Sequence, residues 1–432
     1  SCVSPCPGQI GTDCLDDDAT SYQGAIESLA DDIDHDCDAG GDASGGKRFL
    51  AESTGHTWEN PHSGAFDSNS SHLYLSIVAD KAEDTDGSTY FDTAVALRWF
   101  SGNIGANVEM IPWQQFDAID GGLKDVTPGQ GFMVDDAFIY GVTGSLFGTS
   151  RFLTFTRYDH VSNQAQNSQT TLSKDHNAGD ASYCTSGGCP SLTAFSDITM
   201  ALDSSGVFHS LGCNENDLDG ASNTTGSAQY LRISQVELSV EQLDTNNNPS
   251  GLRTVANHIP SYCEAAAISS TTGSVAFADE ANSGVYTEWE FELGSPSGFN
   301  PVEVEDSLHI TDDISRYEFS GGDTVVYLDA NNARIRLIQG TAVTAIQVTG
   351  SSPVHVTATE DPTTGQIYVA WADDAGEVHL AWGSMTVGFP NQATMLSDVL
   401  ADEAHIALDT DGHVVVAVIG EDEVHMGIAE LP

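Results

Sequence analysis

Short apolar runs separated by turn-forming residues dominate the chain from Arg48 onward. The runs are rich in Val, Ile, Thr, Phe and Tyr, and Gly, Asp, Asn and Ser stand between them. β-Branched and aromatic residues favour strands, and closely spaced turn signals indicate many short strands. No run approaches the ~18 consecutive apolar residues that a membrane-spanning helix needs. The pattern therefore predicts an all-β domain over residues 47–432.

The C-terminal part of the chain repeats itself. Residues 354–383 and 404–430 each contain a strand, a glycine-bearing turn, a second strand, an acidic turn and a third strand that begins Val-His. Weaker copies cover residues 71–100, 131–158, 197–212, 264–291 and 315–340. Repeats of about 40–50 residues with about four strands each are typical of propeller blades. We therefore predict a β-propeller of about seven blades, with a pair of β-sandwiches as the alternative.

Glycines mark the first turn of several repeats, at Gly206, Gly273, Gly322, Gly365 and Gly412. Glycine adopts the positive φ angles of tight hairpin turns without a steric cost. A propeller has to close its ring, and the last repeat has only three recognisable strands. The strand-like segment 47–54 is therefore predicted to supply the outer strand of the last blade.

The charge of the chain restricts its partners. Sixty-four acidic residues face 13 basic ones, which gives a formal net charge of -51. Binding to nucleic acid or to an anionic membrane requires a basic surface, so both partners are excluded. A surface this anionic repels itself unless salt or divalent cations screen it. We therefore expect a saline or calcium-containing setting.

Residues 1–46 have few apolar residues and end in a glycine-rich linker. Residues 13–38 within them, DCLDDDATSYQGAIESLADDIDHDCD, resemble the metal-binding motif family that is named after a copper-binding surface protein of methanotrophic bacteria and is common in secreted bacterial proteins. The matching residues are Cys14, Asp16, Asp18, Thr20, Tyr22, Gly24, Ala25, Glu27, Asp31, Ile33, Asp34, Asp36, Cys37 and Asp38. The chain departs from the family pattern at Leu15, Gln23, Asp32 and Ala39.

The motif predicts a small calcium-binding loop module. Carboxylate oxygens are the ligands that calcium prefers, whereas reduced copper prefers imidazole, thioether or thiolate. The expected ligands are Asp16, Asp18, Glu27, Asp31, Asp34, Asp36 and Asp38. A disulfide between Cys14 and Cys37 would stabilise this loop by roughly 3 kcal/mol in the chain-entropy model. A solvated acidic loop without an ion is the alternative.

Eight cysteines predict disulfides and an oxidising compartment. They are Cys2, Cys6, Cys14, Cys37, Cys184, Cys189, Cys213 and Cys263. We expect a local bridge between Cys184 and Cys189, and a bridge between neighbouring strands from Cys213 to Cys263. The expected location is extracellular or the outer cell surface. Cys2 as a lipid-bearing residue of a lipoprotein is the alternative role for that side chain.

Candidate catalytic chemistry is sparse in this sequence. It has no Gly-x-Ser-x-Gly elbow, no His-Glu-x-x-His zinc helix and no Ser-x-Asp-x-Gly-x-Thr-Trp box of the sialidase-like propellers. Arg334 and Arg336 alternate along one strand and are expected to neutralise nearby acids. The Asp-Gly turns at 84–87, 217–220 and 409–412 are expected to be hairpin turns, with calcium sites as the alternative.

Histidines recur at equivalent positions of the repeats. His355 and His405 stand in equivalent first strands, and His379 and His425 follow valine in matching third strands. Repeat symmetry can bring such histidines together at a soft-metal site. The repeat pattern alone also explains their spacing, so a metal site here is an alternative.

The sequence as a whole favours a binding or structural protein of a surface assembly over an enzyme. A propeller face would recognise a protein or glycan partner, and calcium would be structural. Two other functions stay open, namely extracellular copper binding or uptake through histidines, and a glycan-directed hydrolase on a propeller scaffold.

Overall fold

The structure is a computed structural model, and it describes part of the chain in detail. The described residues are 58–81, 92–100, 109–115, 123–147, 150–159, 164–172, 195–214, 227–234, 240–243, 253–254, 261–279, 286–292, 302–308, 314–329, 333–348, 350–395, 400–410, 412–420 and 424–429. All regular structure in these ranges is β-strand. No helix with the length and apolarity needed to cross a bilayer occurs among them.

The strands form antiparallel meanders, which we label A to G in chain order. Meander A contains β1 (Trp58–Ser68), β2 (His72–Lys81), β3 (Asp92–Phe100) and β4 (Glu109–Gln115). Meander B contains β5 (Leu123–Val134), β6 (Phe138–Phe147), β7 (Ser150–Asp159) and β8 (Gln164–Leu172). Meander C contains β9 (Phe195–Leu202), β10 (Val207–Asn214), β11 (Ser227–Ser234), β12 (Val240–Leu243) and β13 (Arg253–Thr254), which pairs with β11.

The second half of the chain continues the series. Meander D contains β14 (Ser261–Ile268), β15 (Thr272–Asp279), β16 (Tyr286–Glu292) and β17 (Val302–Leu308). Meander E contains β18 (Ile314–Phe319), β19 (Gly322–Asp329), β20 (Arg334–Gln339) and β21 (Ala342–Gln347). Meander F contains β22 (Pro353–Asp361), β23 (Gln366–Asp373), β24 (Val378–Ser384) and β25 (Gly388–Met395), and meander G contains β26 (Glu403–Leu408), β27 (Val414–Ile419) and β28 (Val424–Ala429).

The first strand of each meander contacts the first strand of the next. These contacts run through β1, β5, β9, β14, β18, β22 and β26, and β26 in turn contacts β1. B and C are joined into one nine-stranded sheet by a parallel pairing of Gln130 with Thr199. Such a circuit of first strands is the arrangement of a propeller-like fold and differs from two stacked sandwiches.

Strand β27 shows how neighbouring meanders share a core. All six of its residues are buried, because both faces of the strand are covered. Val414, Val416 and Val418 pack with residues of meander F. Val415, Ala417 and Ile419 pack with Leu73, Leu75, Ile77 and Leu97 of meander A. Successive residues of a strand point to opposite faces, so β27 packs against the sixth meander on one face and against the first on the other.

Side chains also bond to the main chain between neighbouring first strands. The Thr357 hydroxyl donates to the Ala404 carbonyl at 3.0 Å and accepts from the Ile406 N–H at 3.0 Å. The Tyr317 hydroxyl oxygen accepts from the Ala358 N–H at 3.0 Å. These bonds fix the registers of β18, β22 and β26 against each other.

A serine clamp recurs between neighbouring meanders, from the first turn of one to the first strand or first turn of the next. In each clamp, the N–H and hydroxyl of a serine both donate to a carboxylate of the next meander. The pairs are Ser70 with Asp136, Ser270 with Glu318, and Ser320 with Glu360. Each clamp therefore links one meander to the next through a side chain and a main-chain N–H.

The turn glycines confirm the hairpin prediction at four positions. Gly206, Gly322, Gly365 and Gly412 have φ angles of 80°, 121°, 70° and 87°. At Gly412 the N–H donates to the Asp409 carbonyl at 3.1 Å, as expected of a hairpin turn. The turns at 84–87 and 217–220, the proposed closing strand 47–54 and the whole module 1–46 lie outside the described residues.

Candidate functional site

One cavity of about 680 Å³ opens at the centre of the circuit of first strands. Residues of β1, β5, β9, β14, β18, β22 and β26 all line it, and it extends to the turn after β22. Its wall therefore consists of residues that are up to about 340 positions apart in sequence. Concave sites of roughly 300–1,000 Å³ are typical of small-ligand pockets.

The wall of the cavity combines carboxylates, hydroxyls and aromatic rings. The carboxylates are Asp67, Glu318, Glu360 and Asp409, the hydroxyl side chains include Thr199, Ser270, Thr357 and Thr359, and the aromatic residues include Phe66, Phe132 and Tyr317. Among the described residues that line the cavity, Arg316 is the single lysine or arginine. The cavity is therefore anionic as well as polar.

Arg316 is already paired. Its Nη1 donates to Asp323 Oδ2, and the Arg316 side chain is 2% exposed. An arginine that recognises a ligand carboxylate needs an accessible guanidinium. This arginine is therefore not available to an anionic ligand in the arrangement observed.

Asp67 is a carboxylate of the cavity wall with a raised pKa. Burial raises the pKa of Asp67 from 3.8 to about 6, although it accepts from the Val134 N–H at 2.6 Å and the Ser68 N–H at 2.8 Å. A carboxyl group with a pKa near 6 is suited to proton transfer near neutral pH.

Replacing Asp67 with asparagine is expected to remove a pH-dependent loss of stability. Because the folded pKa lies above the unfolded one, the contribution of Asp67 falls as pH rises from about 4 to about 6. Between pH 4.5 and pH 7 the wild type should lose about 2 kcal/mol of unfolding free energy relative to Asp67→Asn. Denaturant unfolding of both proteins at high salt measures this difference, and a constant difference across the range contradicts it.

A second group of chemistry-bearing residues stands where β22, β26 and β1 meet. His355, Glu403 and His405 each offer one ligand atom, and these atoms lie within 4.8 Å of one another. His405 Nε2 is 2.8 Å from Glu403 Oε2, and the two imidazole rings are 4.6 Å apart between centroids. His405 is 3% exposed and also lines the cavity.

Burial and neighbouring groups shift the pKa values of His405 and Glu403. Burial lowers the pKa of His405, and the contact with Glu403 does not restore it. Burial also acts to raise the pKa of Glu403, but His405, His355 and the Gly64 N–H together hold it well below its usual value. Gly64 donates to Glu403 Oε2 at 2.9 Å from the first meander.

A third group, Asp373, Glu377 and His379, has a structural role. His379 Nε2 contacts Asp373 Oδ2 at 2.9 Å, its Nδ1 contacts Thr394 Oγ1 at 3.1 Å, and its ring stacks on Trp371 at 5.2 Å. Burial acts to raise the pKa of Asp373, but its hydrogen bonds with His379, Glu377 and Ala375 outweigh burial and lower it. Asp203 and His209 form the same pair at 2.9 Å.

Repeat symmetry put two pairs of histidines at equivalent positions, and one of these pairs is in contact in the structure. His355 and His405 come together, whereas His379 belongs to the Asp373 hairpin and His425 is buried on β28. The sequence signal that was overlooked is Asp-x-x-Gly-x-x-His, at residues 203–209 and 373–379. Glu403 and Gly64 carried no motif, because only the fold places them beside His405.

The structure also places the two predicted arginines and two of the eight cysteines. Arg334 Nε donates to Asp329 Oδ2 at 2.9 Å, which confirms its role in neutralising a nearby acid, and Arg336 lies over the Tyr327 ring at 5.5 Å. Cys213 and Cys263 lie on β10 and β14, which contact each other, so their bridge stays a prediction. The other six cysteines and all seven predicted calcium ligands lie outside the described residues.

Comparison with known proteins gives remote structural similarities. No protein-family model matches the chain, and no curated protein matches it. Trypanosoma rangeli sialidase is similar at 10% identity and a TM-score of 0.44, over 77% of this chain and 57% of the sialidase. The subtype N10 neuraminidase-like protein of A/little yellow-shouldered bat/Guatemala/060/2010 is similar at 10% identity and a TM-score of 0.40, over 87% of this chain and 98% of that protein.

A peptidase is similar to the chain to about the same degree. Pyrococcus horikoshii acylaminoacyl peptidase matches at 8% identity and a TM-score of 0.45, over 85% of this chain and 51% of the peptidase. The chain therefore spans little more than half the length of the sialidase and the peptidase.

Proposed function

We propose that meanders A to G are the seven blades of a closed propeller whose axial cavity binds a neutral carbohydrate. The observation that carries the proposal is the cavity of about 680 Å³ whose wall includes residues of all seven first strands. The contact of β1 with β26 and the apolar cluster shared by A and G support closure of the ring.

The chemistry of the wall supports a sugar as the ligand. Carboxylates accept hydrogen bonds from sugar hydroxyls, and the hydroxyl side chains both donate and accept them. The rings of Phe66 and Tyr317 offer apolar surface beside them. The net negative wall disfavours anionic ligands, and Arg316 is engaged with Asp323. These features favour a neutral glycan and disfavour recognition of a sialic acid carboxylate.

A glycan array at high salt tests the proposal. We expect binding to neutral oligosaccharides and none to their sialylated forms. Phe66→Ala should weaken the binding of the selected glycan at least about tenfold in calorimetry, because the ring lines the cavity. Val343→Ala, at a side chain that is 54% exposed on β21, is the matched control and should leave affinity unchanged. Selective binding of sialylated glycans would contradict the proposal.

Glycoside hydrolysis is a second candidate, because Asp67 has the raised pKa of a general acid and shares the cavity with other carboxylates. Hydrolysis by this route needs two carboxyl groups on opposite sides of the glycosidic bond. The test is release of reducing sugar from a glycan that binds. Activity that Asp67→Asn abolishes while the glycan still binds supports hydrolysis, and binding without turnover supports a lectin-like role.

For the N-terminal region we propose a secreted, calcium-stabilised module that places the propeller at a cell surface, where its face meets a glycan or protein partner. The support is the acidic motif of residues 13–38 and the cysteine content. We expect about one or more equivalents of calcium in protein purified without chelator. Excess EDTA should lower the unfolding temperature of the module, and stoichiometric copper without calcium would overturn this proposal.

A further inference from the structure

Two imidazoles and one carboxylate converge between the sixth and last meanders, beside Gly64 of the first. His355 belongs to β22, and Glu403 and His405 belong to β26. An ion pair between Glu403 and His405 needs no second histidine, yet the His355 ring lies 4.6 Å from that of His405. Two histidines and a carboxylate with ligand atoms inside 4.8 Å are a common ligand set for first-row transition metals.

The surroundings of the three side chains match those of metal ligands. His355 Nδ1 lies 3.0 Å from the Ala404 carbonyl oxygen and 3.3 Å from the Ala404 main-chain nitrogen, so the main chain of Ala404 orients the ring. Metal-bound histidines usually donate their second ring nitrogen to such an acceptor. The Gly64 N–H likewise orients Glu403 by donating to Oε2 at 2.9 Å.

Gly64 also lets the main chain of β1 approach the His405 ring closely. A Cβ atom at this position would lie 2.6 Å from His405 Nε2, so only glycine fits here without displacing the ring. The absence of a side chain at Gly64 therefore allows the main chain of β1 to lie against His405 and to donate to Glu403.

We propose that His355, Glu403 and His405 bind a divalent transition-metal ion in the wall of the axial cavity. Two nitrogen donors favour zinc, copper or nickel over calcium and magnesium, which take oxygen ligands. Three protein ligands leave at least one coordination position for water or for an oxygen of a ligand. His405 lines the cavity, so that position is near the space in which we place the carbohydrate.

The Asp373, Glu377 and His379 group provides an internal comparison. Its ligand atoms also lie within 4.8 Å of one another, but the two ring nitrogens of His379 already contact Asp373 and Thr394. It contains a single histidine, and Glu377 is 62% exposed. We therefore assign the metal to the first group alone.

Titration with Zn²⁺ in the presence of saturating Ca²⁺ tests the site without any assumption about the carbohydrate. Wild type and His379→Ala should bind one zinc ion in this part of the protein with equal affinity. His355→Ala and Glu403→Gln should each weaken that binding at least about 100-fold. The Co²⁺ form of the wild type should show visible absorption from mixed nitrogen and oxygen ligands, and His355→Ala should lose it.

The unfolding temperature identifies variants that fail to fold. His355 and Glu403 are only partly buried, so both variants should unfold cooperatively near the wild-type temperature without zinc. Zinc should raise the unfolding temperature of wild type and of His379→Ala, and of neither site variant. Unchanged zinc affinity in both site variants, or an equal loss in His379→Ala, would overturn the assignment. Failure of the glycan array would leave this result unaffected.

Discussion

Leu75→Ala is expected to lower the free energy of unfolding by about 2–5 kcal/mol. Leu75 is fully buried on β2, in the cluster that meander A shares with Val415, Ala417 and Ile419 of meander G. Shortening the side chain removes apolar contact and leaves a cavity between the first and last meanders. Denaturant unfolding at high salt measures the effect, because salt suppresses the self-repulsion of a chain with a formal charge of -51.

The matched control makes the same substitution at an exposed leucine. Leu400 is 76% exposed, so Leu400→Ala should change the free energy of unfolding by less than about 0.5 kcal/mol. Equal effects of the two substitutions would mean that meanders A and G do not share a core, and the ring would then be open.

Asp323→Ala is expected to destabilise the protein by about 3 kcal/mol, because it leaves the buried Arg316 guanidinium without its observed carboxylate. Arg316 lies on β18 at the cavity wall, and Asp323 lies on the adjacent strand β19. Thermal and denaturant unfolding measure the loss. The same variant should also bind anionic glycans better than the wild type, because a carboxylate near the cavity is removed and the arginine is released.

Two further variants test whether the loss of stability comes from the unpaired buried charge. Asp402 is an exposed carboxylate, and Asp402→Ala should have little effect on stability. The double variant Arg316→Met and Asp323→Ala should recover much of the lost stability, because no buried charge remains. A loss below about 1 kcal/mol in the single variant would show that the pair is not structurally important.

The repeat structure of the fold was predictable, because it depends on local residues. Strand residues and turn glycines occur at fixed places within each repeat, and Gly206, Gly365 and Gly412 have the positive φ that the hairpins require. Packing between meanders was less visible in the sequence. The six residues VVVAVI of β27 show no polar alternation, since both faces of this strand are covered.

The cavity could not be located from sequence, because its wall draws single residues from strands throughout the chain. Asp67 and Glu360 carry no motif. Both line one cavity only because of the order of the meanders along the circuit of first strands. His355 and His405 were found through repeat symmetry. Glu403 was not, since its importance comes from the register that sets it beside His405.

A crystal structure of the protein with its tightest-binding neutral glycan would show whether the axial cavity is the carbohydrate site. We expect sugar density in the axial cavity, against Phe66 and Tyr317 and within hydrogen-bonding distance of Asp67 or Glu360. Density confined to the outer surface of the meanders or to residues 1–46, with the axial cavity unchanged, would contradict it.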